Sequence, residues 1–223
     1  MRPEGYYLKL LRQGDLDLPA LQAILSDKSA RRFHAVRRAL AGHPRTPRRE
    51  ALSLVSTLFW RDLAHISADA RVHPEVRRAA DRDLLRRLPE MALAERVDLA
   101  KTAGRGVLMP LRFDPEPRVL EALLENRFLT EPDVVHAAAR GEALPEALSV
   151  IAAHPRWSLR PGVRSALLRN PNLPGRLALA LLTLATRDDL EGLLAAPGTP
   201  RFLRLCAERV LAQRGRGDYD RSS

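Results

Sequence analysis

The histidines of this chain are the residues whose type could support metal binding or acid–base chemistry. His43, His73 and His154 each stand directly before a proline, and no two of the six histidines are four residues apart. A zinc site on one face of a helix uses that four-residue spacing, as in HExxH, and the chain contains no such motif. The spacing therefore predicts helix-end roles for these three histidines, and no metal site or cofactor.

The adjacent carboxylates Asp188 and Asp189 directly precede the apolar segment LEGLLAAP. Carboxylates in a first helical turn accept hydrogen bonds from free backbone N–H groups and interact favourably with the helix dipole. Asp62 stands at the equivalent position of an earlier copy of the same pattern. We therefore predict structural capping for Asp62 and Asp189. Because the sequence also lacks a GxSxG motif and a phosphate-binding loop, we predict no catalytic residue.

Arginines recur beside the valines that start each copy of the pattern. Two interpretations stay open: a hydrogen-bond ladder between neighbouring repeats, or an exposed track that binds a polyanion. The track would also include the basic clusters ARR (30–32), RRE (48–50) and LLRR (84–87). The arginines concerned are Arg37, Arg77, Arg118 and Arg164.

Basic residues dominate the charge of the chain, with 37 lysines and arginines against 27 acidic residues and a net charge of +10. Such a balance favours acidic partners, including nucleic acid. Cys206 is the single cysteine, so no disulfide or cysteine-based metal cluster can form within one chain. The N-terminus lacks a signal-peptide pattern, and the longest apolar stretch, 177–185, is too short to cross a bilayer. We therefore expect a cytoplasmic protein that does not insert into membranes.

One sequence pattern recurs along the chain. VRRALAGHPRTPRREAL (36–52) and VRSALLRNPNLPGRLAL (163–179) share nine identical residues at a shift of 127 positions. Related segments begin at Val76 and Val119, so the four starts are separated by 40, 43 and 44 residues. A period in this range is typical of stacked helical repeats.

Prolines divide the repeats into helices, because the residue before a proline disfavours helical backbone. Five pre-proline residues are predicted helix ends, and Pro47, Pro174 and Pro200 are predicted helix starts, with Thr46 and Thr199 as caps. The five are His43, His73, Asp114, His154 and Asn170. Leucine and alanine spacing between the breaks predicts an all-α fold.

We expect three parts in the chain: an N-terminal helical cap at 1–30, an α-solenoid of about four repeats at 31–212, and a flexible tail at 213–223. The cap would contain two short helices, in GYYLKLLRQ and LPALQAILSD, and would cover the first repeat. The tail, RGRGDYDRSS and its neighbours, lacks apolar periodicity.

The segments DPEPRVLEAL (114–123) and HPEVRRAA (73–80) resemble HEAT repeats. LLRNPNLPGRL (167–177) and LLAAPGTPRFL (193–203) resemble the bacterial leucine-rich-repeat variant, which is also all-helical. The resemblance implies a right-handed α-solenoid of stacked HEAT-like repeats. It also implies a ladder between repeats, in which Asp114 and Arg118 match the bonded Asp and Arg; position 73 departs from the pattern, being His.

The segment FWRDL (59–63) resembles, in residue types only, HEAT-like alkylpurine DNA glycosylases, which hold DNA with aromatic and basic side chains and use an Asp. That likeness implies binding by Trp60 and Arg61 beside Asp62. Helical repeats of this kind are shared by functionally unrelated proteins, and we favour a non-catalytic scaffold or adaptor that binds another protein. The alternatives are a sequence-nonspecific nucleic-acid binder with an arginine-lined face and, third, a glycosylase in which Asp62 and Trp60 line one cleft.

Overall fold

A computed structural model describes residues 2–13 and 16–220, with side chains to Arg214. All regular secondary structure in this part of the chain is helical, which confirms the all-α fold class. A single 3-10 turn, Leu88–Glu90, joins two of the helices. In chain order the helices are α1 Glu4–Leu11, α2 Leu18–Ser26, α3 Lys28–Arg32, α4 His34–Gly42, α5 Arg48–Val55, α6 Trp60–Ala68, α7 Pro74–Arg87, α8 Leu93–Thr102, α9 Arg105–Leu111, α10 Pro117–Leu124, α11 Glu131–Ala139, α12 Pro145–Ala153, α13 Pro161–Arg169, α14 Gly175–Leu184, α15 Arg187–Ala195 and α16 Arg201–Asp220.

The chain folds as two compact units that divide between Leu108 and Met109, inside α9. The repeat spacing did not predict this division. Each unit has its own apolar core, formed by the inward faces of short amphipathic helices.

The repeated leucines lie in these cores. Leu40, Leu123 and Leu167 are each fully buried, as predicted from the superposed copies. The valines that start the copies, Val36, Val76, Val119 and Val163, are at most 1% exposed. The pattern therefore marks the core position of each helix that carries it.

The five pre-proline residues share one local structure. Each side chain accepts a hydrogen bond from the backbone N–H two residues later, at 2.9–3.2 Å. His43, His154 and Asn170 end α4, α12 and α13, which confirms the predicted helix stops there. His73 caps the start of α7 instead. The histidine imidazoles thus act as hydrogen-bond acceptors in turns.

The predicted threonine caps are wrong. Pro47 has extended backbone and precedes α5, so Thr46 is one residue too far from the helix, and its hydroxyl is buried without a partner. The Thr199 hydroxyl donates to the carbonyls of Leu193 and Ala196, near the end of α15, rather than accepting from α16. A hydroxyl just before a proline can bond to the helix before it or to the helix after it. The Thr199 hydroxyl bonds to the preceding helix.

Both chain ends differ in part from the expectation. The two short N-terminal helices are confirmed as α1 and α2, but α3 crosses the expected boundary at residue 30. At the other end α16 continues to Asp220, so the backbone of 213–220 is helical; 221–223 lie outside the described residues, and the flexible tail stays a prediction. Arg214 holds α16 against α14, because its guanidinium donates to the carbonyls of Ala185 and Thr183 at 2.6 and 3.0 Å.

None of the helices in the described residues has the length and apolar character needed to cross a bilayer.

Candidate functional site

Arg164 forms a buried ion pair with Asp189. Its Nε and Nη2 lie 3.0 and 2.6 Å from Asp189 Oδ2, and Arg164 is only 4% exposed. Asp189 also accepts from the Thr186 N–H, while its own N–H donates to the Thr186 hydroxyl, so it completes a capping box at the start of α15. The predicted capping by Asp189 is confirmed, whereas the prediction of Arg164 as an exposed binding residue is wrong.

The equivalent residues Arg37 and Asp62 do not bond to each other directly. His34 lies between them, with Nδ1 3.1 Å from Arg37 Nη2 and Nε2 2.6 Å from Asp62 Oδ2. Arg37 also donates to the carbonyls of Arg31 and Arg32, and Arg38 reaches Asp62 Oδ1 at 3.3 Å. Asp62 is buried in the first turn of α6 without capping it, so its role is structural through the imidazole rather than through the predicted cap.

A further buried pair joins Arg112 and Asp133, which are 3.2 Å apart and 4% and 10% exposed at their side chains. Asp133 also accepts from the N–H and hydroxyl of Thr130, which it follows by three residues. Thr186 and Asp189 have the same spacing. The sequence analysis missed this site, although the repeated Thr-x-x-Asp spacing was a usable signal.

The remaining predicted arginines differ from Arg164 in exposure. Arg118 is exposed, and Asp114 accepts from the Glu116 N–H, so the ladder bond between Asp114 and Arg118 stays a prediction. Arg77 is half-buried, and its Nε is buried without an acceptor. A track in which all four arginines are exposed is therefore contradicted, because the helices use Arg164 internally.

Trp60 and Asp62 face different neighbours within the first unit. The indole N–H of Trp60 donates to Glu95 in α8 at 3.0 Å, while Asp62 bonds to α4. Arg61 is exposed, lies 4.9 Å from the centre of the Trp60 ring and pairs with Asp98 at 3.3 Å. A cavity of 210 Å³ between α4 and α6 is lined by Asp62 but not by Trp60. Trp60 and Asp62 therefore do not line one common cleft in the described contacts, as the glycosylase hypothesis requires.

A close helix contact explains the glycines of GRG (104–106). The Ser67 hydroxyl donates to Asp81 and accepts from the Gly104 N–H. A β-carbon on Gly104 would lie 2.5 Å from the Ser67 carbonyl oxygen, and one on Gly106 would overlap the Asp81 carboxylate. Burial raises the pKa of Asp81, and the Ser67 bond and the charge of Arg77 oppose that rise only in part. These glycines permit the start of α9 to approach α6 and α7.

An open basic groove of 580 Å³ lies between α2, α3 and α5 in the first unit. Lys28 and Arg31 line it from α3, and Arg49 lines it from the first turn of α5. Glu50 is the one carboxylate among its lining residues and pairs with Arg31 at 2.7 Å. The structure thus joins two clusters, ARR and RRE, that the sequence presents separately.

A pocket of 210 Å³ lies within the second unit; eight of its twelve lining residues are apolar, so we call it the apolar pocket, and the other four are Arg112, Asp114, Arg140 and Glu142. Its apolar lining includes Leu120, Ala137, Ala147 and Ile151. At the mouth, Phe113 and Leu144 are 39% and 47% exposed. The guanidinium of Arg140 lies 4.6 Å from the centre of the Phe113 ring, where a cation–π contact orients the ring.

Two asparagines hold one wall of this pocket in place. Asn170 Nδ2 donates to the carbonyls of Ala138 and Arg140, and Asn172 Nδ2 donates to those of Gly141 and Ala143, all at 2.7–3.1 Å. Four hydrogen bonds to consecutive parts of one loop restrict its backbone. The pocket is therefore preformed rather than dependent on loop closure.

Among the side chains that the structure describes, no three His, Cys, Asp or Glu groups converge in a cluster that could hold a metal ion. Comparisons of the chain with protein-family models, with curated proteins and with solved structures found no match.

Proposed function

We propose that this chain is a non-catalytic, HEAT-like repeat protein that binds a segment of another protein through the apolar pocket of residues 109–223. The observation that carries the proposal is a preformed cavity with exposed Phe113 and Leu144 at its mouth. Sites for small molecules usually measure about 300–1,000 Å³, whereas this pocket has 210 Å³. Its size suits one large apolar side chain, the kind of anchor that dominates protein interfaces.

The chemistry of the rim supports a peptide ligand. Arg140 pairs with Glu142 at 2.9 Å while stacking on Phe113, so the mouth offers both a donor and an acceptor around an apolar centre. A peptide that inserts a leucine or an aromatic residue would leave its polar backbone beside these groups. Interfaces combine the same parts, an apolar centre and a polar rim.

Peptide selection tests this function. A random peptide library displayed on phage and selected on the full chain should enrich segments with one large apolar residue. Ala147→Phe, which fills the pocket, and Leu144→Asp, which places a charge at its mouth, should each weaken a selected peptide by about tenfold or more. Leu184→Asp is the matched control, because Leu184 is equally exposed at 52% and does not line the pocket. Peptides that bind both pocket variants as well as the parent would refute the proposal.

Nucleic-acid binding along repeated arginines loses support because Arg164 is buried and Arg37 donates to backbone carbonyls. The glycosylase alternative loses support because Asp62 is enclosed by His34 and Arg38. A direct check is glycosylase activity on alkylated DNA, which we expect to be undetectable.

The right-handed α-solenoid is part of the proposal, supported by the succession of short helices and the repeat period. Small-angle X-ray scattering would test the solenoid arrangement, because a solenoid gives a more elongated distance distribution than a sphere of equal mass, and a crystal structure would test its hand. We also propose a cytoplasmic location, which subcellular fractionation would test.

A further inference from the structure

The basic groove stands out in the charge distribution of the chain. Residues 28–49 contain eight basic side chains and no Asp or Glu. Most of the eight have partners inside the first unit: Arg37 and Arg45 donate to carbonyls, and Arg38 and Arg48 pair with Asp62 and Glu75. Lys28 and Arg49 have no hydrogen bond or ion pair with any described residue, and both line the groove. Arg32 also lacks a side-chain partner among the described residues but does not line the groove, so two of the three unpaired cations of this segment lie together at one concave surface.

The side chain of Arg49 makes no hydrogen bond or ion pair that would stabilise the fold. Arg49 is the second residue of α5, where the positive end of the helix dipole disfavours a cation. Arg48 precedes it in the same turn but is compensated by Glu75 at 3.0 Å. Residues that break a local preference without an internal compensation are commonly found at functional sites.

Arg31 completes the groove with a guanidinium that can change partner. Its bond to Glu50 is an exposed ion pair, with both side chains about 40% exposed. Solvent-exposed ion pairs contribute little to stability, so replacing Glu50 by an incoming carboxylate costs little free energy. The arginine fork is also suited to bidentate carboxylate binding.

From these observations we propose that the groove formed by Lys28, Arg31 and Arg49 is a second binding site, and that it takes an acidic segment of a protein. The proposal rests on the proposed function only in assigning a protein ligand, since the groove and the apolar pocket lie in different units. Carboxylates spaced along an extended peptide would pair with the three cations, and the groove residues Gln22 and Ser26 would bond to its backbone.

Nucleic acid fits the groove less well. None of the lining residues is aromatic, so bases would have no surface on which to stack. Three cations would contact about three phosphates, which gives a salt slope of only about −2.7 for duplex DNA. Leu25 and Pro47, which also line the groove, favour aliphatic groups of a peptide.

Fluorescence anisotropy with a labelled short polyglutamate peptide and a labelled oligothymidylate tests the site on the full chain. Lys28→Glu/Arg49→Glu should weaken polyglutamate binding by about tenfold or more, with a smaller salt dependence. The matched control is Arg176→Glu/Arg209→Glu, which changes net charge equally at two exposed arginines. Arg176 is also the counterpart of Arg49 in the last copy of the repeat. The control should bind polyglutamate like the parent.

Two results would overturn the proposal: an equal loss in the control, which would mean attraction by net charge alone, or tighter, groove-dependent binding of the oligothymidylate, which would mean a nucleic-acid site. Circular dichroism and melting of both variants show that they are folded. Leu144→Asp should leave polyglutamate binding unchanged. Failure of the pocket and failure of the groove are thus distinguishable.

Discussion

The first and last copies of the repeat, α4–α6 and α13–α15, carry the same arginine and aspartate but join them differently. Arg164 contacts Asp189 directly, whereas Arg37 and Asp62 are joined through the imidazole of His34. At the shift of 127 residues His34 corresponds to Pro161, which has no polar side chain to insert. A third position therefore decides whether a repeated pair is a direct ion pair or a bridged one.

The difference also changes burial. Both aspartates are buried, with side-chain exposures of 8% and 10%, but Arg164 is 5% exposed, whereas His34 and Arg38, the partners of Asp62, are 30% and 53% exposed. Enclosed charges depend on their partner, because no water replaces it. A charge near solvent is destabilised less when its partner is removed, because water can hydrate it. Equivalent residues are thus expected to have unequal energetic weight.

A large effect is expected where the two copies agree. Leu40→Ala and Leu167→Ala each remove a fully buried side chain, so each should lower the free energy of unfolding by about 2–5 kcal/mol. Urea denaturation monitored by circular dichroism measures both. A neutral result at either leucine would show that the copies do not share a core position.

The second prediction separates the copies. Arg164→Ala leaves Asp189 buried without its cation and should cost about 3–5 kcal/mol. Arg37→Ala should cost about 1 kcal/mol, because the carbonyls and imidazole it contacts are more accessible. Double-mutant cycles in urea should give a larger coupling for Arg164 with Asp189 than for Arg37 with Asp62. Equal couplings would contradict the bridging role of His34.

The copy that starts at Val76 packs Gly104 closely against Ser67, which leads to a third prediction. Gly104→Ala forces a methyl group against the Ser67 backbone and should cost about 1–3 kcal/mol. Gly5→Ala is the control, because nothing lies within 4 Å of its added carbon and α1 should gain slightly. Thermal melting compares them. Similar melting temperatures for the two variants would rule out the close contact.

The smallest predicted effects depend on pH. Burial raises the pKa of Asp189, but hydrogen bonds from the Thr186 backbone and from Arg164 lower it by more than burial raises it. The net shift of the pKa of Asp189 is therefore downward. Its stabilisation is present above the unfolded pKa of about 3.9 and is lost as pH falls through the lower, folded pKa. The stability difference between the parent and Asp189→Asn should therefore shrink in acid.

Asp81 should behave in the opposite way, because burial raises its pKa. The folded chain binds this proton more readily than the unfolded chain, so ionised Asp81 destabilises the fold above the raised pKa. Asp81→Asn should stabilise the protein at neutral pH, and the gain should vanish in acid. Urea titrations at several pH values measure both variants, and parallel pH profiles would contradict the opposed shifts.

Local rules explain how much of the fold could be predicted from the sequence. Leucine spacing identified Leu40, Leu123 and Leu167 as core, because helical periodicity alone places them on one face. The rule for residues before proline placed the turns at His43, His154 and Asn170. The prediction of threonine caps was wrong, because a one-residue offset in the turn decides whether a hydroxyl bonds to the helix before it or to the helix after it.

The candidate sites were less predictable. ARR and RRE were visible as basic clusters, but their convergence with Lys28 depends on how α2, α3 and α5 pack. The apolar pocket had no signal of its own, since its residues come from several helices and a loop held by Asn170 and Asn172. Arg112 and Asp133 could have been found through the Thr-x-x-Asp spacing.

The sequence by itself determined the helical class, the repeat and its core positions, and the helix ends at His43, His154 and Asn170, because these follow from backbone sterics and periodicity within a few residues. Only the tertiary structure decided which arginines form ion pairs with buried carboxylates and which have no such partner. That choice depends on long-range distances, such as the 2.6 Å between Arg164 and Asp189 and the intervening position of His34 beside Asp62. An arginine has the same charge in either setting, and only its neighbours in space determine whether it stabilises the fold or is left to bind a partner.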